Sequence, residues 1–532
     1  MGNFDQRASL LGYSAGRFGP LHRWYKLCLI ALLLPTLGFA QLNHIDMAAH
    51  LLEQGQVQQA EAEARQALEN PTTRPLGLAL LGTIRLQEGK YKESTSFLTQ
   101  ALALNPNLVG ARTTLGNAYV FQGKADLARK NFQEVLRLDP GNFNARFDLA
   151  KVEASLHNYQ QSLVVAGPIV GQLSDSDDGI LLLATDYGSL GRKDELRALV
   201  RTWQHLPAAS DESSLEFGNT LAVFGMSLEA QHIFEAEETK ITAHPTPTLA
   251  FKLGKSYLSL GILDHAERNF QLALSLNSAC AACEAGLAEI AERQGDTEKA
   301  LAHLITAKQQ APEDPEILFQ FGKLCLQRNL LEDALPALTK AVGLKPDQDS
   351  YVYVLASANV GHGNLAKAAS LFGALLQKHP HDAVLKYAVG AVEYLQGKYP
   401  EAESSLKQSL KTQPDQVAAS YYLALTYDAL GQDAQSVAVL RDLLRSHPEH
   451  APSYVKLGSI LLRQHEYDEA QQVLERAISL DPRSVQAHHQ LGLLLRRLGK
   501  TAESESHFAE SRKLEAERIS QTDLRLRLLL PD

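Results

Sequence analysis

Apolar residues recur along this chain in a frame of 34, with polar turns between them in the same frame. Frames begin at 41, 75, 109, 143, 177, 211, 247, 281, 315, 349, 383, 417, 451 and 485; twelve of the thirteen intervals are 34 residues, and the interval from 211 to 247 is 36. The eighth position of every frame is Gly or Ala, from Ala48 and Gly82 to Gly458 and Gly492, and an apolar residue always precedes it. The twentieth position is Ala or Ser in all but one frame, where Leu196 intrudes. A side chain without bulk lets two helix backbones approach closely, and the apolar neighbour fills the space beside the contact. Pro312, Pro346, Pro380, Pro414, Pro448 and Pro482 follow one another at the same interval of 34. Each lacks an amide hydrogen and ends a helix. Asp314, Asp382 and Ser484 then stand where the next helix needs an N-cap. The pattern predicts two helices per frame, stacked hairpin on hairpin as in a solenoid.

The chain resembles the tetratricopeptide repeat family. One frame carries the resemblance in Leu115, Gly116, Tyr119, Gly123, Ala128, Phe132 and Pro140, another in Leu253, Gly254, Tyr257, Gly261, Ala266, Phe270 and Ala273. It covers residues 41–518; the tryptophan usual at the fourth position is absent throughout. The resemblance implies an all-α, right-handed α-solenoid of about fourteen helix-turn-helix repeats. Such repeats bind other macromolecules and do no chemistry themselves.

Three frames, beginning at 143, 177 and 211, keep the period and lose much of the pattern. Gly167-Pro168 falls inside a second helix and should break it. Acidic stretches at 174–179 and 208–214 replace the proline turns, and the two inserted residues fall within "TAHPTPT", 242–248. Two stacks are therefore expected, 41–245 and 246–518, followed by a capping tail at 519–532.

The first forty residues differ in kind. Arg7, Arg17, Arg23 and Lys26 precede the apolar run "LCLIALLLPTLGFA", 27–40, which ends with small residues at Gly38 and Ala40. A basic lead, a short apolar stretch and small residues at its end read as a cleavable secretory signal, leaving Gln41 as the first residue. The alternative is a retained membrane anchor, although the run is shorter than the ~20 residues a span requires. An exported protein of the periplasm or cell envelope is expected, touching a membrane only through this segment if it is not cleaved.

Fourteen repeats leave no room for a separate catalytic domain, and a net charge of −10 disfavours a nucleic-acid groove. Cys280 and Cys283 form a C-x-x-C pair at a turn entering a helix; a structural disulfide or two tightly packed small residues is the expected reading, and a redox site the sharper one. The histidine pairs 379/381, 447/450 and 488/489 have no second ligand pair at zinc spacing. Asn117 and Asn219 occupy a position that family members use in a clamp for peptide carboxylates, but the accompanying basic residues are missing. No phosphate loop, nucleophile elbow or cofactor motif stands out, and no enzyme or cofactor is expected.

The function implied is a non-catalytic scaffold for proteins or peptide segments, or else a subunit of an envelope export or polysaccharide-secretion apparatus. In the family the first helix of each repeat lines the concave face, with positions 2, 5, 9 and 12 inward. Phe319, Tyr353, Tyr387 and Tyr421 are the fifth positions of four successive frames, Tyr394 faces the same way, and Lys323 and Asp428 add charge. These seven residues are the expected partner-binding surface.

Overall fold

The computed structural model describes residues 43–206 and 209–517. The segment 1–40, expected to be a secretory signal, and the expected capping tail at 519–532 lie outside the described residues. Each frame forms a pair of antiparallel helices, giving fourteen hairpins among the described residues. The hairpin of Ala383–Leu395 and Tyr399–Thr412 is representative. Its two helices are joined at Gly397, whose φ of 78° is left-handed and open to glycine at no steric cost. In three frames the same corner is held by His157, Asn329 and His465, with φ between 59° and 65°.

The small eighth residue works as the pattern predicts. A Cβ added to Gly116 would stand 2.5 Å from the Phe132 ring, and one at Gly458 would stand 2.5 Å from Leu474. The twentieth position is 0% exposed in every frame, Leu196 included. Where it is serine the hydroxyl has a task. Ser94, Ser436 and Ser504 each donate to the carbonyl of the eighth residue, at 2.7, 2.8 and 2.8 Å. Between hairpins, Asp382 accepts from the Leu385 amide and Ser484 from the Ala487 amide, as N-caps should.

The degenerate frames show where pattern and structure part. Around Gly167-Pro168 the second helix breaks into Tyr159–Ala166, a single 3-10 turn Gly167–Ile169 and a short Val170–Leu173. Ser176 and Ser210 cap the following helices in place of the proline turns.

The chain divides into two compact units at Leu276/Asn277, rather than at the expected break of 245/246. The helix Ser227–Ala243 runs to 17 residues and absorbs the insertion. Glu238 near its end accepts hydrogen bonds from Tyr257, His265 and Asn269 beyond the turn. The proline-rich turn is thus bridged inside the first unit. In the second unit, buried side chains interlock from one hairpin to the next; Leu338 and Ala341, for example, share a cluster with Tyr351 and Val354. The last described helix, Thr501–Glu517, exposes Glu503, Glu505, Arg512 and Lys513, a polar surface suited to ending a stack. No described helix is long and apolar enough to cross a membrane.

Candidate functional site

The first helices of the second unit carry the expected aromatic ladder: Pro315–Gln327, Asp349–Gly361, Ala383–Leu395 and Val417–Ala429. The structure divides its members into two kinds. Tyr387 and Tyr421 are only 3% and 7% exposed and belong to the hydrophobic core. Tyr387 meets Tyr422 edge-on at 5.9 Å, and Tyr421 meets His450 at 5.3 Å. Phe319, Tyr353 and Tyr394 keep part of their surface in solvent. Phe319 stacks on Tyr351 at 4.2 Å, Tyr353 meets Phe372 edge-on at 5.2 Å, and Tyr394 meets Tyr422 edge-on at 5.6 Å. Each ring of the ladder therefore packs against another ring, and three of them are still only partly covered. Burial pushes the hydroxyls of Tyr353, Tyr387 and Tyr421 above the usual phenol range, so all three stay neutral.

The two charges also differ. Lys323 is exposed on the helix of Phe319. Asp428 is engaged within the fold: Lys456 and Arg463 of the next hairpin both pair with it, and Arg463 also bonds Asp433. Burial works against the Asp428 charge, yet the two cations outweigh it and hold the carboxyl below its ordinary value. Asp428 ties one repeat to the next in this structure, and of the seven expected residues Phe319, Lys323, Tyr353 and Tyr394 keep surface in solvent. Tyr422 and Tyr351 are central to the arrangement, and the periodic reading missed them. They occupy the sixth and third positions of their frames, where no aromatic repeats.

Other candidate chemistry resolves into local roles. Cys280 and Cys283 are joined in a disulfide with Cα atoms 5.2 Å apart. Cys325 is buried, which pushes its thiol up to about 12. His379 bonds Asp349 at 2.6 Å, His450 bonds Ser453 at 2.7 Å, and His488 bonds His507 at 3.0 Å. Among the described residues no group of three or more His, Cys, Asp or Glu gathers as a metal site.

Comparison with known proteins adds the family. Models of the Tetratricopeptide repeat match residues 77–108, 113–163, 251–315, 287–349, 319–383, 353–407, 393–458 and 455–516. The chain is 24% identical over 274 residues to TPR repeat-containing protein YpiA of Bacillus subtilis (strain 168), covering 50% of this chain and 64% of that one. It is 22% identical over 376 residues to cellulose synthase operon protein C of Pseudomonas fluorescens (strain SBW25), covering 68% and 27%. It is 31% identical over 117 residues to human protein O-mannosyl-transferase TMTC3, covering 22% and 13%. The chain thus spans less than two thirds of the length of each of these relatives. Among solved structures, a tetratricopeptide repeat protein from Parabacteroides merdae superposes with a TM-score of 0.41 at 20% identity, over 47% of this chain and 98% of that one. The helical hairpins, their small-residue contacts and the matched models, which together span more than half of the residues, place this chain in the tetratricopeptide repeat family.

Proposed function

We propose that this chain is a non-catalytic interaction scaffold that takes a partner's peptide segment on the first-helix face of residues 315–395. One observation carries the reading. Phe319, Tyr353 and Tyr394 hold ring-packed aromatic side chains partly open to solvent, and Lys323 on the helix of Phe319 is exposed. Rings fixed by their neighbours lose little entropy when a partner covers them, which is what an anchoring surface requires. The cation favours a segment with an acidic residue near its apolar anchors. Phe319→Ala combined with Lys323→Glu should weaken capture of the native partner at least tenfold and leave the helical circular-dichroism signal in place. Undiminished capture would move the site elsewhere.

Two observations favour a more specific setting, an exported subunit of an envelope secretion apparatus. The leader "LCLIALLLPTLGFA" follows four basic residues, and the similarity to cellulose synthase operon protein C extends over 376 residues. N-terminal sequencing of the protein from its native cell tests the export step, and a mature chain beginning at Gln41 is the expected result.

A further inference from the structure

Cys280 sits at the N-cap of the helix Ala281–Arg293, where its sulfur accepts the Cys283 amide at 3.2 Å. In other frames an oxygen does this work, as at Asp314, Asp382 and Ser484. Here the capping atom is half of a disulfide. Cys280 is partly exposed, whereas Cys283, three residues on, is 0% exposed.

As a purely mechanical brace this bond is poorly placed. It closes a loop with a sequence separation of 3, and the entropy a cross-link removes from the unfolded chain is least for the shortest loops. The helix it touches is already packed, with Leu287, Ala288 and Ile290 buried. The geometry instead suits exchange. An amide at a helix N-terminus aimed at one sulfur stabilises negative charge there, and the same sulfur belongs to the cysteine that solvent reaches. The one nearby carboxylate of the first turn, Glu284, is turned to His303 at 2.6 Å.

We infer that Cys280–Cys283 is an exchangeable disulfide, a redox-modification site that accepts two electrons from a dithiol. A thiolate of the dithiol attacks the Cys280 sulfur. The bond between the two cysteines breaks as the mixed disulfide forms, and its electron pair leaves on Cys283, which takes up a proton. The second thiol of the reagent loses its proton and attacks its own sulfur in the mixed disulfide, releasing the Cys280 thiolate onto the Cys283 amide. The dithiol is oxidised to its cyclic disulfide and the protein is reduced to a dithiol. The reduced thiolate remains the cap of the helix, so the hairpin keeps its fold in both states. This inference stands apart from the scaffold reading.

The test uses the full chain and dithiothreitol at neutral pH, followed by iodoacetamide and peptide mass analysis. The disulfide should open while the helical signal is unchanged, and Cys280 should alkylate at pH 6.5 about tenfold faster than a free peptide cysteine. Cys283→Ser should trap a mixed disulfide with glutathione at Cys280. Cys280→Ser should fold, since serine caps helices well, and should trap none. A bond that resists dithiothreitol until the protein unfolds would overturn the inference, as would a Cys280 no more reactive than the peptide.

Discussion

The phenol of Tyr257, with none of its surface exposed, donates to the carboxylate of Glu238 across the turn that holds the two inserted residues. His265 bonds the same oxygen at 2.7 Å, and the amide of the nearly buried Asn269 donates to the other at 2.7 Å. Removing the acceptor strands the buried Tyr257 hydroxyl and takes one of two bonds from the Asn269 amide, whose nitrogen also donates to the His265 carbonyl at 2.9 Å, and each loss costs about 1–3 kcal/mol. Glu238→Ala should therefore destabilise the first unit by about 2–4 kcal/mol in denaturant melts. Arg268→Ala, which removes a mostly exposed cation 3.9 Å from the same carboxylate, should change stability by less than about 0.5 kcal/mol. Equal effects from the two would show that the knot does not hold the turn.

The aromatic ladder makes a second prediction, because its members are not equivalent. Tyr387→Ala empties a core position and should cost about 3–5 kcal/mol. Lys323 is exposed, with Glu292 as a charged neighbour, and Lys323→Ala should cost less than about 0.5 kcal/mol. Thermal melts of the two variants separate packing from surface before any partner is known.

That contrast also marks what the sequence could and could not tell. The hairpins, their caps and the close contacts at positions 8 and 20 were legible, because steric exclusion at a repeated contact leaves the same small residue each time. Whether a given ring is open was not legible. It depends on what the neighbouring helix offers, and Tyr422 against Tyr387 or Phe372 against Tyr353 is a single encounter with no period. The tie across the inserted residues was not legible for a related reason. The proline-rich turn is visible in sequence, whereas the Glu238 knot that bridges it is assembled from residues 19 to 31 apart.

The hairpin corners give a third prediction. His465 adopts φ 65° where most frames have glycine, and its ring bonds the Tyr467 hydroxyl at 2.7 Å. His157 and Tyr159 repeat the arrangement. The left-handed conformation costs a residue with a Cβ about 1–2 kcal/mol, and the exposed hydrogen bond returns about half a kcal/mol. His465→Gly should raise stability by up to about 1 kcal/mol. Gly116→Ala should do the opposite by about 1–3 kcal/mol, since the new Cβ has no room beside Phe132.

A fourth prediction concerns pH. Asp186 is fully buried, accepts a hydrogen bond from Ser162 at 2.6 Å and has no partner for its other oxygen among the described residues. Burial pushes its carboxyl from 3.8 up to about 7, against the pull of Ser162. A raised acid holds its proton in the folded chain where the unfolded chain releases it. Stability therefore falls as pH rises from about 4 through about 7, and the full cost stands above that. Asp186→Asn removes the charge and should be more stable than the native chain by about 1–3 kcal/mol at pH 8, with the difference fading near pH 4. A difference that does not change with pH would mean that Asp186 is not the titrating group.

The last prediction joins these local weaknesses. Each repeat rests chiefly on its neighbours, so stability along the stack is close to a sum of local terms. Residues 143–245 combine a second helix broken at Gly167–Ile169, the buried Asp186 and a second buried carboxylate at Glu237, raised by burial against the pull of Lys240. Residues 281–482 have unbroken helices and continuous buried clusters from Ala288 to Ala477. Sub-global opening should begin in the first of these regions. Amide hydrogen exchange at pH 7 should show the helices Phe143–Ser155 and Asp177–Ser189 exchanging at least tenfold faster than Ala383–Leu395. Asp186→Asn should narrow that gap, because it relieves the charge the opening releases. Equal protection along the chain would mean that the drifted repeats pack as well as the regular ones, and that the buried carboxylates are compensated by groups other than those named here.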